Sequence, residues 1–201
     1  IEAGHPSGIF YGTRTLLQLF PAQAAVGKRP PPGKTIPWVA PCVEVSDQPR
    51  FSWRAFMLDD SRHFHGLDAV KRYVDELAAL KMNVFHWHFI DSTGWRLEIR
   101  RYPKLTGLGA LSPGAGTGDI PAKLATNLSR NHYTQEEARE LVEYAARRHV
   151  RVIPEIEMPG HAAAALRAYP EWSAGGVFDV TKPEVLEAIR NILDEVLALF
   201  P

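Results

Sequence analysis

The sequence predicts an α/β fold built from parallel β/α units, and three observations support this prediction. From residue 53 onward, short apolar segments alternate with amphipathic helical segments, a pattern typical of parallel strands joined by crossover helices. Each apolar segment is followed by ionisable residues. About three such units fit in the chain, fewer than a closed eight-stranded barrel of roughly 250 residues contains. The chain is therefore expected to form a small open sheet or part of a (β/α)8 barrel.

The first part of the chain has a different character. Residues 8–20 have apolar positions at helical spacing and precede Pro21, which predicts a short helix. Residues 21–41 are rich in proline, including the run 30–32, and are interpreted as a linker. We place a domain boundary near Gln48, so that 1–47 belong to a preceding unit and 48–201 to the β/α unit.

The later elements follow from periodicity and capping signals. Strands are predicted at 53–58, 83–90 and 150–156, and helices at 66–81, from 134 onward, at 162–166 and at 183–200. Thr134 and Glu137 form a capping-box pattern at the start of the second of these helices. Residues 107–121 are expected to form a long loop. The tryptophans at 53, 87 and 95 are assigned to the core, and Asp194 and Glu195 to the exposed surface of the last helix.

The composition excludes several classes of partner. Lys+Arg and Asp+Glu both number 23, so the net charge is zero and no nucleic-acid partner is indicated. No apolar run approaches the ~20 residues that cross a bilayer. Cys42 is the single cysteine, so an intrachain disulfide is impossible. The chain starts at Ile1, and a mature form or an excised piece would both explain this start.

Ionisable residues gather where the predicted strands end. The first strand is followed by Asp59, Asp60, Arg62 and His63, the second ends with His88 and Asp91, and the third with Glu155, Glu157 and His161. In parallel β/α folds the carboxyl ends of the strands share one edge, where ligands bind. The sequence therefore predicts a functional site at this edge.

Several polar residues also have purely structural interpretations. We interpret His86 as a buried histidine bonded to the backbone. Glu155 could pair with a neighbouring arginine inside the barrel. Arg54 lies at the opposite end of its strand and is interpreted as structural.

A metal site is one functional hypothesis. His86, His88, Asp91 and His161 would be its ligands, and this set of ligand types suits Zn²⁺. The fold suggested by this hypothesis is a metal-dependent, amidohydrolase-like barrel. Such a site needs further ligands from later strands.

A resemblance to a known family supports a different hypothesis. The run PRFSWRAFMLDDSRHFHG (49–66), the run KMNVFHWHFIDSTGWRLEI (81–99) and YPKL (102–105) resemble the start of the catalytic barrel of the β-N-acetylhexosaminidases, glycoside hydrolase family 20. YTQEEARELVEYAARRHVRVIPEIEMPGH (133–161) continues the resemblance, and GIFYGTRTLLQL (8–19) is similar to the closing helix of the small α+β domain that precedes this barrel.

The resemblance implies roles for individual residues. Arg62 would bind the sugar's O3 and O4 hydroxyls, His161 would contact the general-acid glutamate, and Asp91 would support His161. His88 would be a close neighbour of the pocket. Glu157 stands where many members have aspartate, so its contact is open. The segment DST (91–93) departs from the common DDQ but retains Asp91. The family uses no metal or other cofactor.

The resemblance also implies a mechanism and a fragment. The substrate's own acetamido oxygen acts as nucleophile, as the family is an exception to the two-carboxylate scheme. The Asp–Glu pair that assists it belongs to a motif resembling HIGGDE on the fourth strand, expected beyond Pro201. The chain is then the first part of an enzyme that acts on a glycan or chito-oligosaccharide with a terminal N-acetylhexosamine. It is expected to associate with the rest of the barrel and to be inactive alone.

Two matters stay open at this stage. The chain would belong to a non-catalytic sugar-binding module if the fourth strand of its parent lacked the acid pair. A secreted or periplasmic location is compatible with an enzyme of polymeric glycans, but no residue of the chain indicates it.

Overall fold

The computed structural model describes residues 1–21, 35, 38–111 and 131–201, and a parallel sheet organises them. The strands of this sheet are β1 (Ala55–Asp59), β2 (Val84–Asp91), β3 (Gly94–Trp95) and β4 (Arg151–Ile156). Strand β2 lies between β1 and β4 and is parallel to both, while β3 is a short antiparallel extension of β2. Consecutive strands are thus neighbours, as they are along one side of a β/α barrel. The α/β prediction is confirmed.

Helices connect these strands and cover the sheet. They are α1 (Pro6–Leu19), α2 (Leu67–Ala79), α3 (Lys104–Gly107), α4 (Gln135–Ala146), α5 (Ala163–Ala168) and α6 (Pro183–Leu197). The predicted helices are all present, with ends that differ from the predictions by a few residues. Most of the proline-rich segment and of the long loop 107–121 lies outside the described residues. A two-residue hairpin, Ser173–Ala174 with Val177–Phe178, was not predicted.

The helix α4 begins at the predicted capping box. The Thr134 side chain accepts a hydrogen bond from the Glu137 N–H at 3.1 Å, and Glu137 accepts from the Thr134 N–H at 2.8 Å. These reciprocal bonds satisfy backbone N–H groups that the first turn of a helix leaves without partners.

The core lies between the sheet and the helices. Strand β2 is central, and its aromatic residues Phe85, Trp87 and Phe89 are fully buried. The rings of Trp87 and Phe89 stack with centroids 4.3 Å apart. Helix α2 buries its apolar stripe, including Val70 and Val74, against this layer.

Two apolar residues assigned to buried positions are exposed. Trp53, predicted to be core, is 59% exposed, because it precedes β1 at the amino end of the strand. Leu80 falls at apolar spacing near the end of the helix predicted at 66–81, which predicts burial, but it is 68% exposed because the helix ends at Ala79. None of the helices in the described part of the chain has the length and apolarity needed to cross a bilayer.

Candidate active site

A β-bulge shapes the carboxyl end of β2. His88 pairs with Glu155 of β4, but the next pairing is Ile90 with Ile156, so Phe89 is an extra residue in the ladder. In a regular strand, residues 88 and 91 would point to opposite faces of the sheet. With the bulge, Asp91 lies on the same side as His88, and its Oδ2 is 3.2 Å from the His88 Nε2.

Asp91 is the centre of the site. Its carboxylate is only 2% exposed and accepts hydrogen bonds from Arg62 Nη2 at 2.8 Å and from the Ser92 N–H. Its Oδ1 lies 3.1 Å from the His161 Nδ1. Burial raises the pKa of Asp91, but the hydrogen bonds from Ser92 and His161 and the charge of Arg62 outweigh burial and lower the pKa. Asp91 is therefore held as an anion between cationic or donating groups.

Arg62 is held by two carboxylates. Its Nη1 donates to Asp59 Oδ2 at 2.6 Å while Nη2 donates to Asp91. The hydrogen bond to Asp59 raises the pKa of the guanidinium, so it stays charged. The side chain is still 47% exposed, so further N–H groups remain accessible to a ligand.

His161 comes from the loop between β4 and α5. Its backbone has φ +49°, a left-handed conformation that costs energy for a residue other than glycine and is concentrated at functional sites. The ring is fixed on one side by Asp91, yet the side chain is 63% exposed. An imidazole oriented by a buried carboxylate and open on its other side can contact a further acidic group.

The partners of Glu155 and His86 differ from the sequence interpretation. Glu155 is bound to His86, with Oε2 2.6 Å from Nε2, and not to an arginine. The pairing is imposed by the register of β2 and β4, which sets residues 86–88 beside 153–155. Within the described residues, the His86 ring is consequently paired with a carboxylate and not with the backbone, and the side chain is 38% exposed rather than buried. The structural interpretation of Arg54 is confirmed, since it donates to the carbonyl of Lys81 at 2.7 Å.

His88 is buried between these groups. Its Nδ1 lies 3.8 Å from Glu155 Oε2 and 4.0 Å from Asp59 Oδ1. Its Nε2 is close to Asp91, but the angle is unsuitable for a hydrogen bond, so this nitrogen has no such bond within the described residues. His88 thus lies within 4.0 Å of the three carboxylates and leaves the hydrogen bonds of Asp91 to Arg62 and His161 intact.

Among the residues that the structure describes, two groups of side chains have ligand atoms close enough for a metal ion. One consists of His88, Glu155 and Glu157, the other of Asp91, Glu157 and His161, and in each the ligand atoms lie within 4.8 Å of one another. Glu157 is common to both, so its longer side chain reaches the middle of the site. However, a guanidinium 2.8 Å from Asp91 repels a divalent cation at the same carboxylate.

The sequence reasoning singled out most of these residues but missed the roles of two aspartates. Asp59 and Asp60 were noted only as following the first strand. Asp59 anchors Arg62, whereas Asp60 is fully buried behind it. The sequence shows only that two adjacent acids end an apolar strand. It does not show which of the two side chains faces the site and which faces the core.

The parallel sheet and the polar site at the carboxyl ends of its strands belong to a known family of glycoside hydrolases. Residues 51–201 match the model of the glycosyl hydrolase family 20 catalytic domain, three quarters of the chain, and the chain belongs to this family. The resemblance inferred from the sequence motifs is thereby confirmed, and with it the barrel class of the fold.

Particular relatives sharpen this assignment. The β-hexosaminidase of Porphyromonas gingivalis is 40% identical over 96% of this chain. The crystal structure of a β-N-acetylhexosaminidase from Bacteroides fragilis matches the whole chain with a TM-score of 0.81 and 38% identity. An exo-β-N-acetylglucosaminidase from Vibrio harveyi, solved in complex with N-acetylglucosamine, matches it with a TM-score of 0.83 and 36% identity. The chain spans 25%, 38% and 32% of the lengths of these three proteins.

Proposed function

We propose that the protein containing this chain is an exo-acting β-N-acetylhexosaminidase that removes terminal β-linked N-acetylglucosamine or N-acetylgalactosamine from glycans. The observation that carries the proposal is the position of Asp91, buried between Arg62 and His161 at the carboxyl ends of the strands. The Asp91 carboxylate thus contacts both Arg62, which is suited to bind sugar hydroxyls, and His161, which is suited to contact a general acid. Membership of family 20 and the names of the relatives support the same activity.

Arg62 is proposed to bind two hydroxyls of the terminal sugar. A planar guanidinium can donate two hydrogen bonds in parallel, and neighbouring sugar hydroxyls offer two acceptors at matching spacing. Asp59 and Asp91 restrict its rotation, so little side-chain entropy is lost when the sugar binds. Glu157 and His88 are proposed to line the same pocket.

Asp91 and His161 are proposed to act on the general acid through a chain of hydrogen bonds. Asp91 orients the imidazole, and the exposed side of His161 contacts the glutamic acid that protonates the leaving oxygen. The substrate's acetamido oxygen attacks the anomeric carbon as the glycosidic bond breaks, and water later opens the oxazolinium ion. Since the nucleophile is part of the substrate, little ordering entropy opposes its attack.

The Asp–Glu pair of this reaction is proposed to lie in another part of the same polypeptide. The chain spans well under half of each of the relatives compared, and Asp194 and Glu195 lie on α6, away from the pocket. The remaining barrel strands would then be the partner of the sheet. Phe56 and Met57 of β1 are exposed and offer an apolar surface for such strands.

The division of the chain is part of the proposal. Residues 1–47 are proposed to be the end of a preceding α+β domain with its linker, and 48–201 the first part of the catalytic barrel. The family match starting at residue 51 supports this boundary. Helix α1 contacts the barrel part through Thr15, whose hydroxyl accepts from Lys81 Nζ at 2.6 Å.

The experiment measures release of nitrophenol from an aryl β-N-acetylglucosaminide and from the galactosaminide. The full-length polypeptide and residues 1–201 alone are compared, each with and without EDTA. Activity only in the full-length protein, unaffected by EDTA, is the expected result. Activity abolished by EDTA and restored by Zn²⁺ would favour the metal hypothesis, and binding of N-acetylglucosamine without turnover would favour the sugar-binding module.

A further inference from the structure

The carboxylate of Asp60 is fully buried, and both of its oxygens accept hydrogen bonds. Its Oδ2 accepts from Trp87 Nε1 at 2.9 Å and from the Tyr133 hydroxyl at 2.5 Å. Its Oδ1 accepts from the His65 N–H at 2.7 Å and lies 2.9 Å from the His65 Nδ1. With 0% exposure, Asp60 cannot touch a substrate. Its contacts instead tie the segment after β1 to β2 and to the loop before α4.

Ser61, the next residue, is held by hydrogen bonds to Arg96 and Gly94. Its carbonyl accepts two hydrogen bonds from the guanidinium of Arg96, from Nη2 at 2.7 Å and from Nε at 3.2 Å. Its hydroxyl donates to the Gly94 carbonyl at 2.9 Å. The N–H groups of Asp60 and Ser61 both donate to the carbonyl of His88. The two residues that precede Arg62 are therefore held by buried groups, whereas Arg62 itself is half exposed.

The charges of this cluster are complementary. Asp60 and Arg96 are both buried, and a buried charge is costly unless an opposite charge lies near it. Burial lowers the pKa of Arg96 and the attraction of Asp60 opposes that change. Burial and the Asp60 carboxylate together raise the pKa of Tyr133, so the phenol stays protonated and continues to donate.

From this arrangement we infer that Asp60 is a positioning residue, which sets the place of Arg62 in the sugar pocket by fixing the backbone on its amino-terminal side. The inference rests on the proposed function, because Arg62 is the residue proposed to bind the sugar hydroxyls. Arg62 reaches Asp59 and Asp91 only if its backbone lies where the Asp60 contacts hold it. The adjacent acids after β1 thus divide their roles, with Asp59 holding the guanidinium and Asp60 holding the loop.

The test is a double-mutant cycle in the full-length polypeptide, with Asp60→Asn and Arg62→Ala assayed singly and together on the aryl β-N-acetylglucosaminide. The carboxamide keeps the size of the side chain but puts an N–H₂ group against existing donors, so the loop shifts. We expect Asp60→Asn to lower kcat/KM by roughly tenfold to a hundredfold, mainly through KM, as small displacements of positioning groups do. In the Arg62→Ala protein the same change is expected to alter kcat/KM by less than about twofold.

A matched control separates positioning from general loss of stability. Glu195 is a second carboxylate that holds a loop, although it is only partly buried. It accepts from the N–H groups of Arg100 and Arg101 at 2.7 and 3.0 Å and from Gln135 Nε2 at 2.6 Å. Glu195→Gln makes the same chemical change at a carboxylate whose partners Arg100, Arg101 and Gln135 form, within the described residues, no hydrogen bond with Asp59, Asp60 or Arg62. It is expected to lower Tm while leaving KM unchanged.

The outcomes distinguish the alternatives. Equal effects of Asp60→Asn with and without Arg62, or an unchanged KM, would overturn the inference. Should Asp60→Asn not fold, Tyr133→Phe, which removes only one donor to the same carboxylate, takes its place in the cycle with a smaller loss expected. An inactive unsubstituted protein would overturn the proposed function and this inference with it, whereas an active protein with an unaffected Asp60→Asn variant would overturn the inference alone.

Discussion

The amino and carboxyl ends of the parallel strands use their polar side chains differently. At the amino end, Asn83 Nδ2 donates to the Ser52 carbonyl at 2.8 Å, its Oδ1 accepts from the Arg54 N–H at 2.9 Å, and the Arg54 side chain donates to the Lys81 carbonyl. At the carboxyl end, the Arg62 side chain binds other side chains, with Nη1 2.6 Å from Asp59 Oδ2 and Nη2 2.8 Å from Asp91 Oδ2.

The difference shows how one sheet separates stability from function. A side chain bonded to a carbonyl or N–H of the backbone is not available to a ligand, because breaking that bond leaves a peptide group without a partner. A side chain bonded to another side chain leaves no peptide group without a partner, and a half-exposed one such as Arg62 still has N–H groups to offer a ligand. The expected effects of substitutions therefore differ between the two ends.

Arg62→Ala is expected to have the largest effect on activity. Two charge-assisted hydrogen bonds to the sugar would be lost, each contributing about 1.5–3 kcal/mol, so kcat/KM should fall by about 100-fold to 10,000-fold. Steady-state kinetics of the full-length protein on the aryl substrate measures this. Arg54→Ala at the amino end is the control and should leave kcat/KM per folded molecule unchanged. Equal losses in both variants would remove the distinction between the ends.

Asp91→Asn is expected to lower kcat by about 10-fold to 100-fold, since the imidazole of His161 loses the anion that orients it while the general acid itself is retained. The pH dependence of stability should change too. Because the folded pKa of Asp91 is lowered, its ionised form adds stability above its unfolded pKa of about 3.9, and this contribution is lost as the pH falls towards the folded pKa.

The measurement for this second expectation is Tm from pH 6 down to about pH 2 for Asp91→Asn and the unsubstituted full-length protein. The difference in Tm between the two should shrink as the pH falls below about 4. A difference that stays constant across this range would contradict the lowered pKa.

Asn83→Ala addresses the amino end alone. Two hydrogen bonds to the backbone are lost, so the free energy of unfolding should fall by about 1–3 kcal/mol. Chemical denaturation measures the loss, and KM for the aryl substrate should not change. An altered KM would mean that the amino end is coupled to the pocket.

Thr134→Ala is expected to have the smallest effect, a loss of about 1 kcal/mol from the capping box of α4. Thermal unfolding should show a small decrease in Tm with kinetics unchanged. Thr134→Ser, which keeps the hydroxyl, should match the unsubstituted protein. An equal loss in the serine variant would show that the methyl group and not the cap stabilises this turn.

Local pattern was sufficient for the three long parallel strands and for every helix except the short α3. The alternation of apolar runs and amphipathic stripes located the strands and helices, and the Thr134–Glu137 spacing located the start of α4. The clustering of ionisable residues after the strands identified the edge where Arg62, Asp91 and His161 meet. These features depend on neighbours within a few residues along the chain.

Features that depend on distant neighbours were not predictable in this way. The partner of Glu155 follows from the register of β2 against β4, and a sequence pattern does not specify register. Glu195 was expected to be surface charge, but it is largely buried because the loop at residues 100–101 donates its N–H groups to it. Trp53 was assigned to the core from its residue type, although its burial depends on what packs beside the amino end of β1.

The bulge at Phe89 decides to which face of the sheet the Asp91 side chain points. Two ionisable residues three positions apart share a side only because one residue is left over in the pairing of β2 with β4. A substitution at Phe89 would change a side chain, but a deletion there would turn Asp91 away from Arg62 and His161. An insertion or deletion within β2 should therefore reduce activity far more than a substitution in the same strand.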